Sequence, residues 1–511
     1  MTAPFADADG VIVDGSPEGR LVERQIEAGP ADPPALVAML RADGVPPAAV
    51  APIAERLRPA LAADVAWMQA VADGHEQSRR LGRAAVLAHA ALAPFAGHVA
   101  LLEPALGCMW SSDVDVLVAA DVPPQIDVAL RAAGCITLDD LLARIGREDP
   151  DVDRYAVIDG TDVLGALELC RRAYDDGPRA EQFIARSIAA ADGGPGVVTP
   201  ADLLLRRAGK TLASRRVTLR AVLELRALDA RDHGGARSAI VARAFARIAE
   251  LERAGGLEPS TPAGPQTRPW TDRHWVTARA RSVRREARRS VRPRAVQVVL
   301  SGIDGAGKST QVERLAANLA RVNVTRTTAW VRLGFTGSPL LSVGARIGQR
   351  VLPGGSHSAH VARSTGTGEA TPVTRRGIVG WTWALAVTLD FIRASRRAVR
   401  RARGSVGIFD RALLDAEIGL DHDYAGALEL RFHHRLLQRL MRRPDATFYL
   451  RIPGDVAYDR KEDMFSREVL VGMVARYDAF MTGRPGVVIV DAQDAPEVIA
   501  LIVLRQLAAG V

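Results

Sequence analysis

One run of nine residues carries most of the chemistry this sequence could perform. Gly302-Ile303-Asp304-Gly305-Ala306-Gly307-Lys308-Ser309-Thr310 fits the spacing G-x-x-x-x-G-K-[ST]. Glycines in this pattern let consecutive backbone N–H groups turn into one concavity that cradles phosphate oxygens at the start of a helix. Lys308 is placed to reach the β- and γ-phosphates of a nucleoside triphosphate, and Ser309 to put its hydroxyl on Mg²⁺. ATP with Mg²⁺ is therefore the expected cofactor. The elements that must hold such a loop are readable on both sides of it. Val296-Gln297-Val298-Val299-Leu300 reads as a short strand of the buried type. After the loop, Val312, Leu315, Ala316 and Leu319 recur at i, i+3, i+4 and i+7, which predicts a helix with Gln311, Glu313, Arg314 and Asn318 on its other faces.

The run Leu300 to Gln311 resembles the phosphate loop of thymidylate kinases, a family of nucleoside monophosphate kinases built on a parallel sheet wrapped by helices. The resemblance extends over residues 295 to 511. Val406-Gly407-Ile408-Phe409-Asp410-Arg411 is similar to the family's strand that ends in an Asp-Arg pair, which implies that Asp410 supports the metal and Arg411 grips the acceptor phosphate. A carboxylate at the end of a strand beside the phosphate loop suits the first role, and an arginine fork suits the second. Pro444 to Leu450 resembles the next strand, and the helix from Gly454 to Arg460 leads to a cluster of Arg460, Lys461 and Arg467. With Gly305 in the loop rather than an arginine, the resemblance implies that a lid supplies the cations that neutralise transition-state charge, with Arg460 and Arg467 the residues expected to do so. Val487 to Ala492 and the helix from Glu497 to Leu507 are similar to the closing strand and helix. Asp304 is expected to touch the acceptor or its water, and Arg332 to orient the acceptor. The chain departs from the family on the acceptor side. No Arg-Glu-Pro-Gly element follows the second strand, Ala412 replaces an aromatic residue, and Asp390 and Arg393 stand apart rather than adjacent. The expected reaction is transfer of the γ-phosphoryl group to a nucleoside monophosphate or similar small acceptor.

A second constellation lies far upstream. Gly107-Cys108-Met109-Trp110-Ser111-Ser112-Asp113-Val114-Asp115 resembles the metal motif of the nucleotidyltransferase fold, a Gly-Ser pair ahead of an Asp-x-Asp strand, although Cys108 stands where a serine is usual. Strand alternation puts Asp113 and Asp115 on one face, where both could hold Mg²⁺, and Asp159 is a candidate third carboxylate. An active site, an inactive relative and an unrelated acidic strand edge all remain open.

The 511 residues are enough for two or three domains. We read residues 1–254 as an α+β nucleotidyltransferase-like domain with helical segments, 255–294 as a Pro/Gly-rich and then Arg-rich linker, and 295–511 as the P-loop α/β kinase domain. A second mobile segment is expected at Gly354 to Gly377. With 48% hydrophobic and 25% charged residues, the composition is that of a folded globular chain. The longest apolar stretch, Gly377 to Leu389, falls short of the ~20 residues that cross a bilayer. No secretory signal is visible either, so a cytoplasmic location is expected. Three cysteines, Cys108, Cys135 and Cys170, have no paired metal-ligand spacing and read as buried thiols. The net charge of +8 conceals a division along the chain. Residues 1–200 hold 16 basic and 30 acidic side chains, while residues 201–300 hold 22 and 9. Only three of the 67 basic residues are lysine, so arginine excess is weak evidence for a polyanion. The expected partners are a small phosphate acceptor and a second copy of the chain, without nucleic acid. Two other readings stay open: a nucleotide-sensing interaction protein with a degenerate front domain, and a kinase acting on nucleic-acid ends.

Overall fold

The computed structural model describes residues 17–102, 112–119, 122–149, 152–170, 185, 196–197, 202–204, 207–208, 211, 218–231, 239–253, 294–331, 333, 377–424, 429–460 and 466–510. The expected linker through residue 293, the motif at residues 107–111, Cys108, Arg332, Lys461 and nearly all of the expected mobile segment lie outside these residues. The chain divides into two compact units, one made of residues 1–138 and 149–290 and the other of residues 139–148 and 291–511.

The first unit opens with four helices, α1 (Pro17–Ala28), α2 (Pro33–Ala42), α3 (Pro47–Leu57) and α4 (Val65–Leu92). Prolines start the first three, where a missing N–H costs nothing. Asp32 and Asp64 cap α2 and α4, accepting from Ala35 N at 3.0 Å and Trp67 N at 2.9 Å. A mixed sheet follows from β1 (Val99–Leu101), β2 (Asp113–Val118), β3 (Ile136–Thr137), β4 (Val152–Asp159), β5 (Asp162–Cys170) and β6 (Gly196–Val197), in the order β3-β4-β5-β2-β1-β6. Helix α5 (Gln125–Ala132) joins α4 on one face of this sheet, where Val114, Val116 and Val118 are buried. Leu117 and Cys170 point to the opposite side and join a core shared with α1–α3, α7 (Leu219–Arg231) and α8 (Ala239–Arg253). The alternation along β2 therefore divides its valines from Asp113, Asp115 and Leu117.

The second unit takes in α6 (Asp139–Arg144) and is built on a five-stranded sheet that is parallel throughout. Its elements are β7 (Val296–Ser301), α9 (Lys308–Arg321), β8 (Arg326–Trp330), α10 (Gly377–Arg401), β9 (Val406–Asp410), α11 (Leu413–Asp423), α12 (Arg431–Leu440), β10 (Ala446–Arg451), α13 (Gly454–Arg460), α14 (Arg467–Met481), β11 (Val487–Asp491) and α15 (Pro496–Ala508). Strand order is β11-β10-β7-β9-β8. Helices on both faces explain the unbroken burial of β7 and β9, whereas the edge strands β8 and β11 are only partly covered. Strand β7 is central, and the chain runs to one side of it for β8 and β9 and to the other for β10 and β11. The carboxyl end of β7 is thus a switch point, the place where open parallel sheets take ligands.

Helix α9 forms where the apolar spacing predicts it, but its buried surface is wider than that stripe. Leu315 and Leu319 are buried, each worth roughly 1.5–3 kcal/mol on removal from water. Val312 and Ala316 are half-buried, while Gln311 and Asn318, expected on outer faces, are buried as well. Gln311 Nε2 donates to Pro496 O at 3.0 Å, so the amide docks the first turn of α15.

Candidate active site

Between β7 and α9 the chain makes the turn that the glycine spacing requires. Gly302 has φ +148° and Gly305 φ +89°, both conformations that side chains disfavour. A Cβ at Gly302 would meet Leu450 O at 2.8 Å, and one at Gly305 would meet Ala457 O at 2.6 Å. Helix α13 therefore lies directly against the loop, and only glycine lets it approach that closely. Ala306 is buried behind the loop, Gly307 leads into α9, and Thr310 is exposed.

Lys308 begins α9 with its side chain only 7% exposed. Its Nζ donates to Ile303 O at 2.6 Å and lies 3.7 Å from Asp304 Oδ1. Burial and the neighbouring Arg411 charge lower its pKa to about 8, against the opposing pull of Asp304, Asp410 and Asp415. Ser309 Oγ donates to Asp410 Oδ2 at 3.1 Å. Asp410 closes β9, beside β7 in the sheet, and is itself buried. Its other oxygen, Oδ1, is buried without a hydrogen-bond partner. A hydroxyl and a carboxylate side by side, one carboxylate oxygen unsatisfied, form a hard oxygen-donor set of the kind that suits Mg²⁺.

Arg411 follows with φ +72°, an uncommon conformation for a side chain of this size. Its guanidinium pairs with Asp304, so one carboxylate faces both Arg411 and Lys308. Burial works against the Arg411 charge, but Asp304 foremost, with Asp415 and Asp410, more than offsets it and raises the pKa further. Four residues on, Asp415 is buried in the first turn of α11. Its Oδ1 accepts from Ser301 Oγ at 2.8 Å and Tyr477 OH at 3.0 Å, and its Oδ2 from Ala412 N at 3.2 Å. None of these three polar residues was singled out from the sequence. The available signal was a carboxylate in the first helical turn after Asp410-Arg411.

Arg460 and Arg467 are both exposed. Arg460 Nη1 donates to Ala492 O at 3.0 Å, whereas Arg467 pairs with Asp459 at 3.3 Å and stacks 5.5 Å above the Tyr458 ring. As placed here, these two expected lid cations are engaged along α13 and beyond the end of β11. Of the residues expected to act together, the structure assembles Asp304, Lys308, Ser309, Asp410 and Arg411.

In the first unit, Asp113 and Asp115 share a face of β2 as expected, but their third carboxylate comes from a residue that sequence reasoning missed. Glu168 on β5 stands opposite Asp115, and Arg154 on β4 stands opposite Glu168 and pairs with it. The run Val163 to Cys170 is almost continuously apolar after a Gly-Thr turn, a strand signal that was available. Ligand atoms of Asp115, Glu168 and Cys170 lie within 4.8 Å of one another. Burial, with repulsion from Asp113 next, raises Glu168 to about pKa 7, and burial followed by Asp115 raises Asp113. Asp159 is not brought to this group. It closes the β4–β5 hairpin opposite Asp162, three residues past Ala156 in the Asp113 row, and its carboxylate pairs with Arg83.

No protein-family model matches the chain, and no curated protein matches its sequence. Among solved structures the chain is similar to deoxyadenosine kinase from M. mycoides with bound dATP, at 15% identity and TM-score 0.28, over 41% of this chain and 98% of that one. A second structure of that enzyme, with products dCMP and a flexible dCDP bound, is similar at 16% identity and TM-score 0.27, over 42% of this chain and 99% of the other. Scores this low do not fix a fold, and the mixed α/β architecture with its parallel sheet rests on the strand order above. Among the described residues no helix is long and apolar enough to cross a membrane.

Proposed function

We propose that the second unit is a phosphotransferase that moves the γ-phosphoryl group of magnesium-bound ATP to a nucleoside monophosphate or similar small acceptor, in the manner of thymidylate kinase-like enzymes. The observation that carries this reading is the meeting of Ser309 and Asp410 at 3.1 Å beside a buried lysine, at the carboxyl end of the central strand. Loop N–H groups from Gly302 to Ser309 would hold the donor phosphates, with Lys308 neutralising the β- and γ-oxygens. Ser309 and the unsatisfied Oδ1 of Asp410 would hold Mg²⁺, whose contribution is to draw charge from the transferring group. Arg411 orients the acceptor, assisted by Arg332. Phosphates compete with Asp304 for both Lys308 and Arg411, which confines the carboxylate's role to the empty site or to the acceptor's water. Arg460 and Arg467, flanking residues 461–465, are assigned to neutralise the transition state. No reaction is proposed for the first unit, because the carboxylate facing Asp115 is already held by a guanidinium.

The test is ADP release by the full chain with Mg·ATP over a panel of nucleoside monophosphates, nucleosides and sugars. One acceptor should stimulate turnover, and Lys308→Ala should lower it by roughly 10²–10³-fold, the scale of losing one electrostatic contact to the transition state. Turnover unchanged by that substitution contradicts the assignment.

A further inference from the structure

The buried polar network behind the phosphate loop is unused by the chemistry above. Asp415 joins three separate pieces of chain. Ser301 is the last residue of β7 and enters the loop, Ala412 N belongs to the peptide that follows Arg411, and Tyr477 lies in the second half of α14. Tyr477 and Asp415 are 2% and 7% exposed. Burial, with the Asp415 charge next, holds the Tyr477 phenol well above its usual range, so its hydroxyl keeps its proton and donates. Leu470, Tyr477 and Met481 are buried, whereas Ser466 to Val469, Val471 and Gly472 are exposed. The helix that follows residues 461–465 is thus tied through Tyr477 to the residue that leads into the phosphate loop, while its first half packs on α13 at Gly454.

We infer that Asp415 and Tyr477 are positioning residues for phosphoryl transfer, holding the Arg411–Ala412 peptide, and with it the Arg411 guanidinium, in register with the phosphate loop. The inference rests on the phosphotransferase reading. The geometry explains why a large residue tolerates φ +72° at position 411: the amide after it is held by Asp415, and its own N–H donates to Leu300 O at 3.1 Å. Asp415 touches no reacting atom in this scheme. Tyr477 acts through it, at two removes from the acceptor.

A neighbouring residue provides a matched control. Tyr449 stacks on Tyr477 with ring centroids 5.9 Å apart, is equally buried, and donates its hydroxyl to Asp478 at 3.0 Å rather than to Asp415. Tyr449→Phe and Tyr477→Phe each remove one buried hydroxyl from the same interface. In the ADP-release assay on the full chain, Tyr477→Phe should lower kcat at least about tenfold with the KM for ATP within about twofold, because misplacing a phosphate-orienting group costs rate rather than donor binding. Tyr449→Phe should leave kcat within about twofold even where its melting temperature falls as far. Asp415→Ala, which removes both acceptor oxygens from Ala412 N–H and from the Tyr477 hydroxyl, should reproduce the kcat loss. Equal kcat in the two tyrosine variants, or loss in melting temperature alone, overturns the inference. A wild type that turns over no ATP with any acceptor removes the phosphotransferase reading and this inference with it, whereas an active wild type matched by Tyr477→Phe removes only the inference.

Discussion

Both units gather carboxylates at a strand and set an arginine against them, yet the two groupings are built differently. Around the loop of the second unit, Asp410 keeps one buried oxygen unsatisfied, two cations share Asp304, and main-chain N–H groups open at the start of a helix. In the first unit Asp113, Asp115 and Glu168 crowd one sheet face, with Arg154 holding the most buried of them. The former offers cations and hydrogen-bond donors to an anion and one unsatisfied carboxylate oxygen to a cation. In the latter, burial first and neighbouring negative charge next raise the Glu168 and Asp113 carboxyls. The contrast predicts that a row of carboxylates serves a phosphate only where donors of positive charge stand beside it.

The largest expected effect tests this contrast directly. Asp410→Asn should reduce Mg²⁺-dependent ATP turnover by roughly 10²-fold or more, while Asp113→Asn should change it by less than about twofold. Steady-state kinetics on both variants decides the point, and the reverse ranking would place the chemistry in the first unit. Gly305→Ala should come next. A methyl 2.6 Å from Ala457 O at a positive φ should cost on the order of 2–3 kcal/mol, seen as a lower denaturation midpoint, and should separate α13 from the loop.

Proton linkage should run in opposite directions in the two units. Between about pH 8 and 10.5 the unfolded chain carries a proton on Lys308 that the folded chain lacks, so this group's contribution to stability rises with pH. Between about pH 4.5 and 7 the folded chain holds a proton on Glu168 that the unfolded chain has lost, so stability falls as pH rises. Denaturant titrations should lose the first trend in Lys308→Met and the second in Glu168→Gln. ATP affinity should also weaken above about pH 8 in the wild type, as the ammonium becomes neutral, and calorimetry in two buffers should detect proton uptake on binding. The smallest effect is expected at Arg314, which meets Glu497 at 2.7 Å with both side chains about 40% exposed. Arg314→Ala should shift stability by roughly 0.5 kcal/mol or less and leave turnover alone, as thermal melts and the same assay would show.

What the sequence discloses follows from how local each signal is. The phosphate loop, the strand before it and the helix after it are contiguous, and Asp410-Arg411 sits at the end of an apolar run. All of these are legible from spacing. The width of the buried face of α9 is not, because Gln311 docks on the start of α15, nearly two hundred residues later. Likewise Asp159 ends a strand that reads clearly, but only the register of β4, β5 and β2 shows that Glu168, not Asp159, faces Asp115. Asp415 and Tyr477 meet across 62 positions, and neither lies in a run that marks it out.

The central position of β7 bears on how the protein is made. Both strands that flank it, β9 and β10, leave the ribosome more than a hundred residues after it does. Until then a largely apolar strand and its glycine turn wait without flanking strands, the situation in which nascent chains are captured by chaperones or by one another. Tyr477 arrives later still, so a stalled chain that already contains the entire loop motif would lack the floor beneath it. Competence to hold a nucleotide should therefore emerge late in synthesis, and abruptly.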